Sequence, residues 1–208
     1  MASKLIEIGM NKEILVLYYS RYGATKQLAM IIARGIESVS GIGARIRTVP
    51  VVSAVCEKIA DEIPESGHPY AENKDLQECV GLALGSPVRF GNMSANMKYF
   101  WDGTSPEWLH GALSGKPACV FTSSSSLHGG QEACLLSMMI PLMHHGMIIV
   151  GLPYANQELL TTKTGGTPYG VSHLAGINSD LQLSEEESRL AFAQGKHLAE
   201  IALKLATN

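Results

Sequence analysis

The chain lacks most of the signals that would commit it to a metal, a membrane or a polyanion. Its four cysteines, Cys56, Cys79, Cys119 and Cys134, form no C-x-x-C pair and fall at no metal-ligand spacing, which excludes zinc ribbons and thioredoxin-type redox sites. Cys79 and Cys119 sit within apolar, strand-like runs and are expected as buried thiols rather than disulfide partners. There is no run of about 18 apolar residues and no cationic segment leading into an apolar one. No membrane insertion is therefore expected, and the expected location is the cytoplasm. Lysine and arginine number 16 against 19 aspartates and glutamates, a formal net charge of -3. That balance lacks the clustered basic excess a nucleic-acid partner requires. It is also too weakly acidic for a carrier that steers its partners by charge.

Nucleotide and hydrolase signatures are missing as well. No G-x-x-x-x-G-K-S/T occurs and no G-x-G-x-x-G follows the first strand-like run, which disfavours P-loop and dinucleotide-binding folds. Gly170-Val171-Ser172-His173-Leu174 lacks the second glycine of a nucleophile elbow. No pair of carboxylates suggests acid–base catalysis. His144 and His145 are adjacent, an arrangement in which both rarely bind metal, so no metal is expected.

What is present is enough apolar material for a full core: 208 residues, 46% hydrophobic and 17% charged. One domain is expected over residues 1–208, with 1–12 as a short extension. Ile14 to Tyr19 is a continuous apolar run, as in a strand buried on both faces. A helix follows with Leu28, Ile31, Ile32, Ile36 and Val39 on one side, ended by Gly41 and Gly43. Ala44 to Val49, Val80 to Gly85, Ala118 to Thr122 and Met147 to Gly151 read as four further strands. A helix carrying Leu135, Leu136, Met139 and Leu142 precedes the last of them. A final helix opens on a capping box, Ser184 with Glu187, and its inner face is read as Leu190, Ala193, Leu198, Ile201, Ala202 and Leu205. Five buried strands alternating with helices predict an α/β fold with a parallel sheet covered on both sides. Residues 51–78 carry a weak helix at most, and 152–183 form a long Gly-, Pro- and Tyr-rich connection of the functional or interface-forming kind.

In such a sheet the ligand lies at the carboxyl ends of the strands, which directs attention to three turns. After the first strand, Ser20-Arg21-Tyr22-Gly23-Ala24-Thr25 leads straight into a helix. Hydroxyls, a glycine and a helix N-terminus make a nest suited to a phosphate monoester; the same residues would also serve as an ordinary helix cap. After the third strand comes Pro87-Val88-Arg89-Phe90-Gly91-Asn92-Met93-Ser94. It reads either as backbone presented to something flat and polar, or as a surface arginine beside a phenylalanine plug. After the fourth, Ser123-Ser124-Ser125-Ser126-Leu127-His128-Gly129-Gly130-Gln131-Glu132 offers hydroxyls and amides to a ring edge, or is plain linker. Trp108 read alone is a packing tryptophan, and Trp101 beside Phe100 is core or interface.

Taken together and in this order, Tyr18-Tyr19-Ser20-x-Tyr22-Gly23, the 87–94 segment, Gly129 to Glu132, His144 to Met147 and Gly165-Gly166-Thr167-Pro168-Tyr169-Gly170 resemble the WrbA-type NAD(P)H:quinone oxidoreductases of the flavodoxin-like superfamily. The resemblance runs from about Ile14 onward. It implies a flavodoxin-like, five-stranded parallel sheet in the order 2-1-3-4-5 with helices on both faces. It further implies that Ser20, Arg21, Tyr22, Gly23, Ala24 and Thr25 hold the phosphate of FMN and that Val88, Arg89 and Phe90 lie along its ring. Ser123, Ser124, Ser125, Ser126, Leu127 and His128 would close over that ring, and His144 would complete the site. Tyr22 matches the family position for the nicotinamide cofactor, NADH or NADPH, and Trp108 the one for the quinone substrate. The implied activity is an FMN-dependent, two-electron reduction of quinones by NAD(P)H in a ping-pong cycle, carried out by a homotetramer; the alternative is an FMN-binding electron carrier or flavin-dependent scaffold without enzymatic activity. The serine-rich 123–128 loop and residues 51–78 depart most from the family pattern.

Overall fold

The computed structural model of the chain describes residues 12–52 and 67–206. Residues 1–11 of the expected extension, 53–66 of the loosely patterned stretch and Cys56 lie outside the described residues.

β1 (Glu13–Tyr18) is buried from Ile14 onward because it is covered on both faces. Alternation sends Ile14, Val16 and Tyr18 into one core and Leu15, Leu17 and Tyr19 into the other. α1 (Ala24–Glu37) then packs Leu28, Ile32 and Ile36 onto the first of these cores. β2 (Gly43–Thr48) is the edge strand. Its Ala44 and Ile46 pack toward that same core, while Arg45 and Arg47 pair with Asp75 at 3.2 and 3.1 Å. Asp75 belongs to α2 (Asn73–Glu78), which has its own capping box from Glu72 and Asp75. Charged side chains over an edge strand keep it from pairing with other chains.

β3 (Gly81–Pro87) is followed by α3 (Ala95–Asp102) and α4 (Ser105–Leu109), then β4 (Pro117–Ser124) and α5 (Gln131–His144). β5 (Ile148–Ile149), α6 (Glu158–Thr161), β6 (Val171–Leu174) and α7 (Glu185–Ala206) complete the described elements. All strand pairs are parallel, in the order β2-β1-β3-β4-β5, with β6 also on β4. This is the flavodoxin-like order expected from the sequence. One core lies between the sheet and α1 with α7; the other gathers Met97 and Trp101 of α3 with Cys134, Leu135, Met138 and Leu142 of α5.

The fifth lane of the sheet corrects the sequence reading. Met147 to Gly151 does not form one full strand: Ile148 and Ile149 pair with Pro117 and Ala118, and Val150 N–H donates to the Ala118 carbonyl at 2.7 Å. The chain then leaves, and β6 returns to pair Phe121–Ser124 with Val171–Leu174. Part of the expected long connection is thus sheet. Gln194 of α7, fully buried, fills the gap: its Oε1 accepts from Val171 N–H at 2.6 Å and its Nε2 donates to the Val120 carbonyl at 2.9 Å. The inner face of the last helix needs one correction as well: Leu205 is exposed.

α1 and α7 meet through glycine. A Cβ on Gly195 would lie 2.1 Å from the Ile32 carbonyl, and one on Gly35 2.1 Å from that of Phe192, so each helix backbone rests against the other. Cys79, Cys119 and Cys134 are buried free thiols, as expected for the first two. Burial pushes Cys119 up to about 12 and Cys134 up to about 11, which removes them as nucleophiles at neutral pH. Among the described residues, no helix is long and apolar enough to cross a membrane.

Candidate functional site

β1 lies between β2 and β3, so the strand order reverses there and the turns after β1 and β3 open on the same sheet edge. With the end of β4 they enclose a cleft of about 390 Å3. It is lined by Ser20, Arg21, Tyr22, Ala24, Thr25, Val88, Arg89, Phe90 and Ser123 to Ser126, all expected from the sequence, with Gly23 inside the first turn. Leu127 and His128 are exposed and do not line it. Pro87 and Gly129, from the second and third turns, line it as well, and so do Ala175, Ile177 and Ser179, which were not expected.

The first turn is more than a capped helix. The residue that opens α1 is Gly23, with φ of 94°, which has no side chain to cap the helix. Ser20 Oγ accepts from Gly23 N–H at 3.1 Å, bracing the turn. The first-turn amides of a helix have no intrahelical acceptor, and they carry the positive end of its dipole. Thr25 is buried and shares a hydrogen bond of 2.8 Å with Ser123 Oγ, so the first turn is tied to β4. Arg21 stands over the exposed Tyr22 ring, its guanidinium carbon 5.2 Å from the centroid.

The second turn is a tight reversal closed by Arg89 N–H to Asn92 O (2.8 Å) and Asn92 N–H to Arg89 O (3.0 Å). Both central residues have positive φ, 53° at Phe90 and 75° at Gly91. Such a turn favours glycine or asparagine. Phenylalanine here is strained and, at 105% relative exposure, gains nothing from burial. The reading of Phe90 as a core plug is therefore wrong. Phe90→Gly is expected to leave the fold as stable or more stable by up to about 1 kcal/mol; a loss of stability on urea denaturation would mean that the ring packs against the fold. Below this turn, Ser86 Oγ accepts from Ser94 N–H (2.8 Å), Thr122 Oγ1 donates to Ser86 O (2.7 Å), and Val88 N–H donates to Ser123 O (2.9 Å).

The serine run divides. Ser123 and Ser124 extend β4 and are buried, whereas Ser125 to His128 form the exposed loop. Gln131, buried at the start of α5, donates to Ser124 Oγ (2.7 Å) and accepts from Ser172 Oγ (2.7 Å); Ser124 Oγ in turn donates to Ser126 O (2.8 Å). The glycines and glutamine of the 129–132 motif therefore shape the loop from beneath. Gly130, φ 89°, lets the backbone pass Gly91, where a Cβ would come within 3.3 Å.

Trp108 and His144 are not on this cleft. They line a second one of about 500 Å3, with Met93, Trp101, Ile140 and His145. His145 Nε2 pairs with Thr104 Oγ1 (3.1 Å), while the buried Nδ1 of His145 and Nε1 of Trp101 have no hydrogen-bond partner among the described residues. Burial pulls the His145 imidazole below its ordinary value, with Glu107 opposing and His144 reinforcing the shift.

Residues 13–159 match the family model described as NADPH-dependent FMN reductase. Over 200 residues the chain is 44% identical to an NAD(P)H dehydrogenase (quinone) of Geotalea daltonii, covering 93% of this chain and 98% of that protein. A protein of the same name from Solidesulfovibrio magneticus is 38% identical, covering 92% and 98%. Among solved structures, a flavodoxin, WrbA-like protein from Agrobacterium tumefaciens aligns with a TM-score of 0.67 at 21% identity, over 93% of this chain and 99% of that one. That structural likeness speaks for the fold alone.

Proposed function

The chain belongs to the NADPH-dependent FMN reductase family, and we propose that it is an FMN-dependent NAD(P)H:quinone oxidoreductase, reducing quinones by two electrons in a ping-pong cycle. The observation that carries this reading is the convergence of three hydroxyl- and amide-bearing turns on one cleft at the carboxyl ends of the strands. The activity named for both relatives, over nearly the whole chain, supports it.

The donor set fits FMN. At one end, the uncapped start of α1 with the hydroxyls of Ser20 and Thr25 suits a phosphate monoester. At the other, Val88 to Phe90 and Ser123 to Ser126 offer backbone and hydroxyl groups to the edge of a flat heterocycle. The volume of about 390 Å3 falls within the range of small-molecule sites. Bound there, FMN would supply hydride acceptance and two-electron transfer. The chain itself supplies orientation: Tyr22 and Phe90 stand exposed on the rim, where aromatic faces suit a nicotinamide nucleotide and a quinone.

In this reading Trp108 and His144 reach the flavin cleft of another copy, within a homotetramer. Their separation from the cleft of their own chain supports this. So do the exposed apolar side chains of the same elements, Leu109 on α4 and Ile140 and Met143 on α5. Sedimentation would report the assembly.

The activity is tested by loading the protein with FMN and mixing it with NADH or NADPH and benzoquinone. Consumption of nucleotide with quinone is expected; no consumption of either nucleotide while flavin stays bound would overturn the reading and favour an electron carrier. Trp108→Ala is expected to lower turnover about tenfold or more, a loss of at least ~1.4 kcal/mol in transition-state stabilisation, with FMN affinity unchanged by fluorescence titration.

A further inference from the structure

We infer that residues 175–181, which follow β6, are a further wall of the flavin-ring end of the cleft, and that the buried His173–Glu187 pair is what positions them. The inference rests on the flavin reading above.

The segment is brought to the cleft by the split fifth lane. Because β6 pairs with the end of β4, Ala175 N–H donates to Ser124 O at 2.8 Å, directly beside the serine residues of the cleft. The chain then turns back on itself. Leu181 N–H donates to Ala175 O (3.1 Å), Ser179 N–H donates to Gly176 O (3.1 Å), and both Gly176 and Ser179 have positive φ. Ala175, Ile177 and Ser179 line the cleft, and Ile177 is 91% exposed. A large apolar side chain held in solvent at the mouth of a cleft is suited to covering a flat, apolar ring face.

Polar bonds fix both ends of this segment. At its far end, His173 Nε2 meets the Leu181 carbonyl at 3.1 Å, and Nδ1 meets Glu187 Oε2 at 2.8 Å. The Leu181 carbonyl can only accept, so His173 Nε2–H donates to it. His173 and Glu187 are 0% and 1% exposed. The Glu187 carboxylate also accepts from Gly165 N–H (2.8 Å), Leu174 N–H (3.0 Å) and Ser184 N–H (2.9 Å). Burial pushes Glu187 upward, and the hydrogen bonds from His173, Leu174 and Ser184 more than offset this, leaving it below its ordinary value. Burying these polar side chains carries a desolvation cost that a leucine of similar volume would avoid. What the pair does, and leucine could not, is fix the Leu181 carbonyl at a defined point. With Ala175 tied to β4 and Leu181 to His173, both ends of the wall are set.

The test uses FMN and riboflavin as probes, followed by flavin fluorescence. Riboflavin lacks the phosphate, so a wall against the ring affects both ligands by the same factor. Ile177→Ser, at an exposed position that cannot unfold the chain, is expected to weaken both about tenfold. Glu187→Gln, which replaces one carboxylate oxygen with a donor, is expected to do the same; His173→Asn is the second entry point should that variant not fold. Because the pair acts through the wall, the double variant with Ile177→Ser is expected to be no weaker than the weaker single one. Wild-type riboflavin affinity in folded Ile177→Ser would remove the wall. Additive losses in the double variant would remove the positioning role. Failure of the wild-type protein to bind either flavin would instead overturn the flavin reading itself.

Discussion

Gln194→Leu is expected to lower the free energy of unfolding by about 2–6 kcal/mol, since each of two buried polar groups left unpaired costs about 1–3 kcal/mol. Leucine would fill a comparable volume, so the loss is one of hydrogen bonding rather than of packing. The two groups at stake are the Val171 N–H and the Val120 carbonyl, both in the sheet interior where the fifth lane is interrupted. With β5 departing after Ile149 and β6 joining at Val171, no strand residue is left to serve the Val120 carbonyl. The glutamine amide stands where a peptide group would otherwise be. Gln194→Glu is expected to cost at least as much, since it loses the donor to Val120 and buries a carboxylate against that carbonyl. Urea denaturation measures both. A shift below about 0.5 kcal/mol for leucine, the size of an ordinary surface substitution, would mean that the two backbone groups find other partners.

The largest effect on binding is expected from Thr25→Val. The substitution keeps shape and removes a buried hydroxyl that now pairs with Ser123 Oγ. In the proposed function that hydroxyl is a donor to the FMN phosphate, and hydrogen bonds to charged groups contribute about 1.5–3 kcal/mol. FMN affinity is therefore expected to fall roughly 10- to 100-fold, while riboflavin affinity stays as it was. Equal losses for the two ligands would mean that Thr25 shapes the cleft rather than meeting the phosphate. An unchanged FMN affinity would move the phosphate away from the start of α1.

The elements with one environment along their whole length were legible in the sequence. β1, β3 and β4 are covered on both faces, so their apolar runs are continuous, and the turns that follow them could be located from strand ends alone. β6 was not legible, for the opposite reason. Val171-Ser172-His173-Leu174 carries two polar residues that are buried only because Gln131 and Glu187, far off in sequence, meet them. Glu187 itself was read as half of a capping box. It is that, with Glu187 N–H donating to Ser184 Oγ at 3.1 Å, but nothing local signals that its carboxylate also holds β6. The wall at 175–179 went unseen as a consequence. Trp108 and His144 show a different limit. Their link to the cleft came from resemblance, and within a single chain they face another cleft altogether. Leu205 follows helical spacing closely enough to be read as inward, yet the packing face of α7 ends short of it.

The mutual seating of Gly35 and Gly195 ties the helix that opens at the cleft to the helix reached last along the chain. α7 also provides Gln194 and Glu187, on which the fifth lane and the far side of the cleft depend. During translation, β1, α1 and β3 leave the ribosome long before these partners exist. A nascent chain can thus carry the whole Ser20–Thr25 turn and still have no settled pocket. In the proposed function, competence to hold FMN would therefore await the emergence of α7.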